Sequence, residues 1–124
     1  MFDLSGKTAL VTGATGGIGA ALARALHAQG AHVTLSGTRE AVLEELAGEL
    51  RDRVSIASAN LSDAESVDGL VAKAEAAAGA PLDILVANAG ITRDGLLMRM
   101  KDEDWDAVIR VNLESYFRLS RAAV

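Results

Sequence analysis

The stretch from Lys7 to Gly19, Lys-Thr-Ala-Leu-Val-Thr-Gly-Ala-Thr-Gly-Gly-Ile-Gly, constrains this chain more than any other. It begins as a short apolar run, Ala9-Leu10-Val11, of the kind that sits as a fully buried parallel strand. It breaks at Gly13, Gly16, Gly17 and Gly19, then leaves as a helix with Ile18, Ala21, Leu22, Ala25 and Leu26 spaced i, i+3, i+4, i+7 and i+8. That spacing predicts one buried helical face. Strand, glycine turn and helix in this order aim backbone N–H groups and the positive end of a helix at a phosphate. Glycine suits such a turn because a side chain would block a pyrophosphate or forbid positive φ.

The spacing of the glycines selects among nucleotide loops. Gly-x-Gly-x-x-Gly fails from Gly13, since Thr15 and Ile18 stand where glycines are needed. A Walker loop fails because no Gly-Lys-Ser/Thr follows. Thr-Gly-x-x-x-Gly-x-Gly fits from Thr12 to Gly19. At these residues the chain resembles the short-chain dehydrogenase/reductase family, whose cofactor loop has this longer form. The resemblance implies a nicotinamide cofactor held along Gly13, Ala14, Thr15, Gly16, Gly17, Ile18 and Gly19.

The rest of the chain alternates strands and amphipathic helices. Gly30 suits the end of the first helix, and Ala31–Ser36 reads as a strand. Thr38 is the predicted cap of a helix burying Leu43, Leu46, Ala47 and Leu50, and Val54–Ala57 is a third strand. Ser62 and Glu65 make a capping box for a helix burying Val67, Leu70, Val71, Ala74 and Ala78, closed by Gly79 and Pro81. Leu82–Ala87 is a fourth strand, 88–100 a loop, and Asp102 caps a last helix with Trp105, Val108, Ile109, Leu113 and Phe117 on its apolar seam. Such alternation predicts an α/β fold: a Rossmann-like parallel sheet in the order 3-2-1-4. A complete doubly wound fold has a second half beyond strand 1, so residues 1–124 read as the amino-terminal part of one dinucleotide-binding domain.

Composition excludes several classes. The formal net charge is −5 and no basic stripe appears, so no nucleic-acid partner is expected. There are 0 cysteines, hence no disulfide or thiolate chemistry, which fits a reducing cytoplasm. Met1–Gly6 lacks the charged and apolar regions of a signal peptide. No run approaches the roughly 18 apolar residues of a membrane helix. A cytoplasmic protein without a membrane partner is the expectation. His27 and His32 flank the Gly30 turn, away from the strand ends, and no metal site is predicted. Asp102, Glu103, Asp104 and Asp106 are accounted for by the first turn of a helix.

Three further places carry site candidates. An Asp or Glu about 20 residues past the glycine loop would hold the ribose 2′-hydroxyl of NAD. Ser36-Gly37-Thr38-Arg39 stands there instead, and Thr38 and Arg39 suit the 2′-phosphate of NADP(H). Asn60 and Leu61 match the family's adenine contact. Asn88-Ala89-Gly90 matches the end of its Asn-Asn-Ala-Gly motif, with Ala87 where the first Asn is usual. Asn112 is a polar residue within an apolar seam, and by resemblance the Val111-Asn112-Leu113 asparagine is catalytic, supporting a water beside a lysine.

Gly90–Met100, Asp104-Trp105 and Val111-Asn112-Leu113 narrow the resemblance to the bacterial 3-oxoacyl-acyl-carrier-protein reductases of this family. It implies NADPH-dependent reduction of a 3-oxoacyl thioester in fatty-acid synthesis, an acyl-carrier-protein-bound substrate and a homotetramer. Related acetoacetyl-CoA reductases share much of this pattern. Arg93, Arg99 and Lys101 read as a solvated loop that would face an acidic carrier. The family's proton donor is a tyrosine with a lysine four residues on. The 1 tyrosine here, Tyr116, is followed at that distance by Ser120, so the catalytic Ser, Tyr and Lys are expected beyond Val124 and the isolated chain is expected to be inactive. The alternatives are a non-catalytic NADP-binding module and a methyltransferase half-fold; the glycine spacing disfavours the latter.

Overall fold

The structure is a computed structural model describing residues 3–124; Met1 and Phe2, where the Met1–Gly6 leader reading begins, lie outside the described residues. Strands β1 (Thr8–Val11), β2 (His32–Leu35), β3 (Val54–Ile56) and β4 (Ile84–Val86) form a parallel sheet in the order β3-β2-β1-β4, as predicted. Their ladders are shorter than the apolar runs, leaving Ala31, Ser36, Ala57, Leu82 and Ala87 outside. Val11 pairs with Leu35 and Val86, and Leu35 with Ile56, so the carboxyl ends of all the strands finish level.

Alternation along β1 feeds two cores. Leu10 packs under α3 (Ala64–Ala78) and α5 (Ser115–Ala123), with Val67, Leu70, Val71, Ala74 and Leu119. Val11 packs with Val33 and Leu35 under α1 (Gly17–Ala28) and α2 (Glu40–Leu50), against Ala23, Leu43 and Leu46. Covering on both faces explains why β1 is buried at every residue. Within α3, Ala78 of the predicted face stays half-buried.

The buried face of α1 is not the predicted one. Ile18 is 72% exposed, Ala21, Leu22 and Ala25 are exposed too, and only Leu26 of that set packs partly into the core. Gly19 and Ala23 are buried instead, with Ala20 beside them. The cause is distance. α1 starts so close to the turn after β1 that only small residues fit beneath it, and the neighbouring branched stripe is turned outward.

Helix starts are displaced as well. Asp63, not Ser62, caps α3, its Oδ1 accepting from the Glu65 N–H at 3.2 Å. Ser62 Oγ instead donates to Asn60 Oδ1 at 2.6 Å, so the predicted capping box does not form. Thr38 does not cap α2; Arg39 stands at that position without a side-chain capping bond. Asp102 is the first residue of α4 (Asp102–Val108) and Lys101 precedes it as cap. Gly30 and Gly79 end α1 and α3 with φ of 105° and 70°, as expected.

The last helix is broken by a π segment, Ile109–Glu114, between α4 and α5. A wider turn rotates everything downstream of it, so a seam counted at 3.6 residues does not carry through. Leu113 and Phe117 are therefore 61% and 56% exposed, while Ser115 and Leu119 are buried; Trp105, on α4 before the π segment, is 59% exposed as well. Among the described residues no helix is long and apolar enough to cross a membrane.

Thr34 on β2 is fully buried, and its Oγ1 has no hydrogen-bond partner. An orphaned buried hydroxyl costs about 1–3 kcal/mol, and valine keeps its shape. Thr34→Val is expected to stabilise the chain by about 1 kcal/mol, raising Tm by about 3–5 °C in a thermal melt. A lowered Tm would show that the hydroxyl has a partner.

Candidate functional site

A cleft of about 610 Å³ opens at the carboxyl ends of the strands, where open α/β sheets bind ligands. Its walls come from four chain turns and the last helix. Gly13, Thr15, Gly16, Gly17 and Ile18 come from the β1–α1 turn; Gly37, Thr38 and Arg39 follow β2. Asn60 and Leu61 follow β3, Asn88, Ala89 and Gly90 follow β4, and Val111 lies in the π segment.

Ala14, Gly19 and Asn112 do not line the cleft but brace it. Ala14 is buried, its N–H donating to the Ser36 carbonyl at 3.0 Å and tying the glycine loop to the end of β2. A Cβ on Gly19 would lie 2.7 Å from the Gly13 carbonyl carbon and 2.8 Å from Asn88 Nδ2. Gly13 has φ 67°, and a Cβ there would meet Ala89 Cα at 2.8 Å. These two glycines let loop, helix and the β4 turn close on one another.

Asn112 clamps the chain after β4. Its Nδ2 donates to the Ile91 carbonyl and its Oδ1 accepts from the Ile91 N–H, both at 2.8 Å. The seam polarity thus has a backbone partner. Both ends of the carboxamide are engaged, and Oδ1 lies 3.3 Å from where a Cβ on Gly90 would sit. Asn112→Asp replaces the donor by a second anionic oxygen facing the Ile91 carbonyl. It is expected to lower stability by about 1–2 kcal/mol, read as a lower urea midpoint at unchanged m. An unchanged midpoint would mean that the clamp contributes nothing.

Several cleft residues were not assigned to the cofactor site by the sequence reading: Thr12, Ser36, Gly37, Ala59, Ser62, Ile91, Ala107 and Arg93, the last read as part of a solvated loop. Thr12 carries a signal, a polar residue directly after a buried strand. Its Oγ1 accepts from Asn88 N–H at 3.1 Å and Ala89 N–H at 3.2 Å, and donates to the Val86 carbonyl at 3.4 Å. Gly37 leaves room for Thr15, whose Cγ2 would lie 2.9 Å from a Cβ.

The charge of the cleft opposes that of the chain. Arg39 and Arg93 line it and no carboxylate does, although the net charge is −5. Arg39 Nη2 donates to the Thr15 carbonyl at 2.9 Å, which holds the guanidinium at the glycine loop. Arg93 Nε lies 3.8 Å from Asp104. This set fits a diphosphate-bearing dinucleotide: room, bare backbone at the glycines, and cationic ends without a repelling anion.

The remaining candidates lie elsewhere. His27 Nε2 is 2.7 Å from the Asp52 carbonyl oxygen and His32 Nε2 is 2.8 Å from Ser55 Oγ. Burial first, then the charges of Arg53 and His27, holds the His32 imidazole below its usual pKa. Asp102, Glu103 and Asp104 occupy the first turn of α4. Tyr116 is 58% exposed on α5 and does not line the cleft.

Sheet order, glycine loop and cleft together define a Rossmann-type nucleotide-binding architecture. The chain belongs to the short chain dehydrogenase family, with residues 7–124 matching. It is 60% identical over 121 residues to a nodulation protein G of Rhizobium sp. (strain N33), covering 98% of this chain and 49% of that protein. It is 52% identical over 124 residues to a 3-oxoacyl-[acyl-carrier-protein] reductase of Rickettsia bellii (strain RML369-C), covering 100% of this chain and 49% of that protein. A blue fluorescent protein from a metagenomic library, crystallised with NADPH, superposes with a TM-score of 0.92 at 34% identity, covering 98% of this chain and 51% of that one. The chain spans about half the length of the curated relatives it matches.

Proposed function

We propose that this chain is the cofactor-binding, amino-terminal part of an NADPH-dependent reductase that converts a 3-oxoacyl thioester on acyl carrier protein to the 3-hydroxyacyl thioester. The observation that carries the cofactor is the cleft lined by Arg39 and Arg93 with no carboxylate, in a chain of net charge −5. The substrate is supported by the name of the Rickettsia bellii relative and the NADPH by that of the metagenomic protein. Backbone N–H groups of Thr15, Gly17 and Ile18 would take the pyrophosphate, Thr38 and Arg39 the 2′-phosphate, and Asn60 and Leu61 the adenine. Asn88, Ala89 and Gly90 border the remaining length. NADPH supplies the hydride when bound. Asn112, with its carboxamide spent on Ile91, acts as a positioning residue that fixes the floor of the cleft after β4.

Self-association is part of the proposal. Leu113, Tyr116 and Phe117 are exposed on the last helix, with the Arg121 guanidinium 4.9 Å above the Phe117 ring. The free edge of β4 is a second adhesive feature.

Cofactor choice is tested by titrating NADPH and NADH into the chain and its Arg39→Glu variant. Losing a charge-assisted bond and gaining a repulsion is expected to weaken NADPH about 10- to 100-fold while NADH shifts less than about threefold. Equal losses for both would sink the 2′-phosphate assignment. Reduction is tested on the full-length protein with 3-oxoacyl-carrier-protein and acetoacetyl-CoA as rival substrates. The 1–124 chain is expected to bind NADPH weakly and turn over neither.

A further inference from the structure

A second cleft, about 360 Å³, lies behind the Asn60–Asp63 turn, between that turn and the π segment of the last helix. Leu61 and Ser62 line both clefts, so the turn is their common wall. Most polar groups of the second cleft are already engaged. Arg118 bonds Glu114 at 3.0 Å and Asp68 at 2.9 Å, and the Asp63 carboxylate accepts from the Glu65 N–H. Ser115 Oγ donates to the Val111 carbonyl, and Ser62 Oγ to Asn60. Arg110 is different: its exposed guanidinium has no partner among the described residues and stands at this cleft beside Leu61, Ala64 and Val67.

From this juxtaposition we infer that the second cleft binds a small amphiphilic carboxylate and that its occupancy tightens nucleotide binding through the shared turn. A free guanidinium fork takes the carboxylate, and Leu61 and Ala64, the accessible apolar residues of a mostly polar lining, take a short tail. The turn transmits because it is one hydrogen-bonded unit. Asn60 Oδ1 accepts from the Ser62 N–H at 3.0 Å and from Ser62 Oγ, and the Asn60 N–H donates to Ser66 Oγ at 3.1 Å. A tail packed against Leu61 and Ser62 holds that unit closed, and with it the Asn60 side of the nucleotide cleft. The coupling rests on the reading that Asn60 and Leu61 face the adenine, and by linkage each ligand strengthens the other equally.

The test titrates octanoate, kept below micelle formation, into the isotope-labelled chain, following backbone NMR shifts and the NADPH dissociation constant together. Saturable shifts at Ser62, Ala64, Arg110 and Ser115, lost in Arg110→Glu and weakened in Arg110→Gln, with NADPH bound at least about threefold more tightly at saturation, support the site and its coupling. Shifts that are absent, or that survive in Arg110→Glu, overturn the site. An NADPH constant unmoved or raised at octanoate saturation overturns the coupling. Absence of NADPH binding without octanoate tells against the cofactor reading instead, and the shifts then decide the site by themselves.

Discussion

Gly19→Ala is expected to lower Tm by about 10 °C or more and to abolish detectable nucleotide binding, whereas Gly17→Ala, two residues earlier, is expected to fold as well as the parent. The difference lies in what a methyl group would meet. At Gly19 it would press on the carbonyl of Gly13 and on Asn88 Nδ2, one of them backbone and the other in the turn after β4. Relief requires lifting the start of α1 off the sheet, which also opens the loop that lines the cleft. Overpacking of this kind costs about 3 kcal/mol or more where backbone cannot yield. At Gly17 nothing lies within 4 Å of the added carbon, and the residue opens α1. Alanine there gains up to about 1 kcal/mol of helix propensity. Gly17 nonetheless lines the cleft, so its methyl group enters the path of a pyrophosphate. Normal melting with NADPH affinity down about tenfold is the expected pair of results, one decade being about 1.4 kcal/mol. Gly19→Ala melting with the parent would mean that close approach of α1 to the loop is not what holds the site together.

That pair of glycines also marks where the sequence was readable. Order along the chain, strand positions and the clustering of Gly13, Thr38, Asn60 and Asn88 at one end of the sheet follow from local pattern and the handedness of βαβ units. The face of α1 does not. Two stripes, Ile18-Ala21-Leu22-Ala25 and Gly19-Ala20-Ala23, lie side by side on the helix, and hydrophobicity favours the first. Separation from β1 decides for the second, and that is a tertiary quantity. Asn112 divides in the same way. A polar residue in an apolar seam announced that it needed a partner, but the partner is the backbone of Ile91, 21 residues away. The π segment that presents it has no signature in the 3.6-residue count. Ser62 satisfied the capping pattern with Glu65, yet its hydroxyl went to Asn60 and Asp63, one residue on, capped α3.

Thr12→Val is expected to destabilise by about 2 kcal/mol and to weaken nucleotide binding, the opposite of the same substitution at Thr34. Both threonines are buried, Thr12 directly after β1 and Thr34 on the neighbouring β2, at 1% and 0% exposure, and both lose only a hydroxyl for a methyl group. Context sets the sign. Thr34 Oγ1 has no partner, so removing it removes a desolvation cost. Thr12 Oγ1 is the acceptor for the Ala89 N–H, and it shares the Asn88 N–H with the Val86 carbonyl. Valine leaves the Ala89 donor facing a methyl group in a part-buried turn, at about 1–3 kcal/mol for an unmade bond. Because Asn88, Ala89 and Gly90 wall the cleft, the loss is also read in binding. Freed of Thr12, the turn after β4 drifts from the glycine loop, and the NADPH dissociation constant is expected to rise about 3- to 10-fold, a coupling of about 1 kcal/mol. Thermal melts of Thr12→Val and Thr34→Val with a parallel NADPH titration check both signs at once. If Thr12→Val melts at or above the parent, its hydroxyl does not join β1 to the turn after β4. If it melts lower but binds NADPH unchanged, that turn carries stability without shaping the nucleotide site.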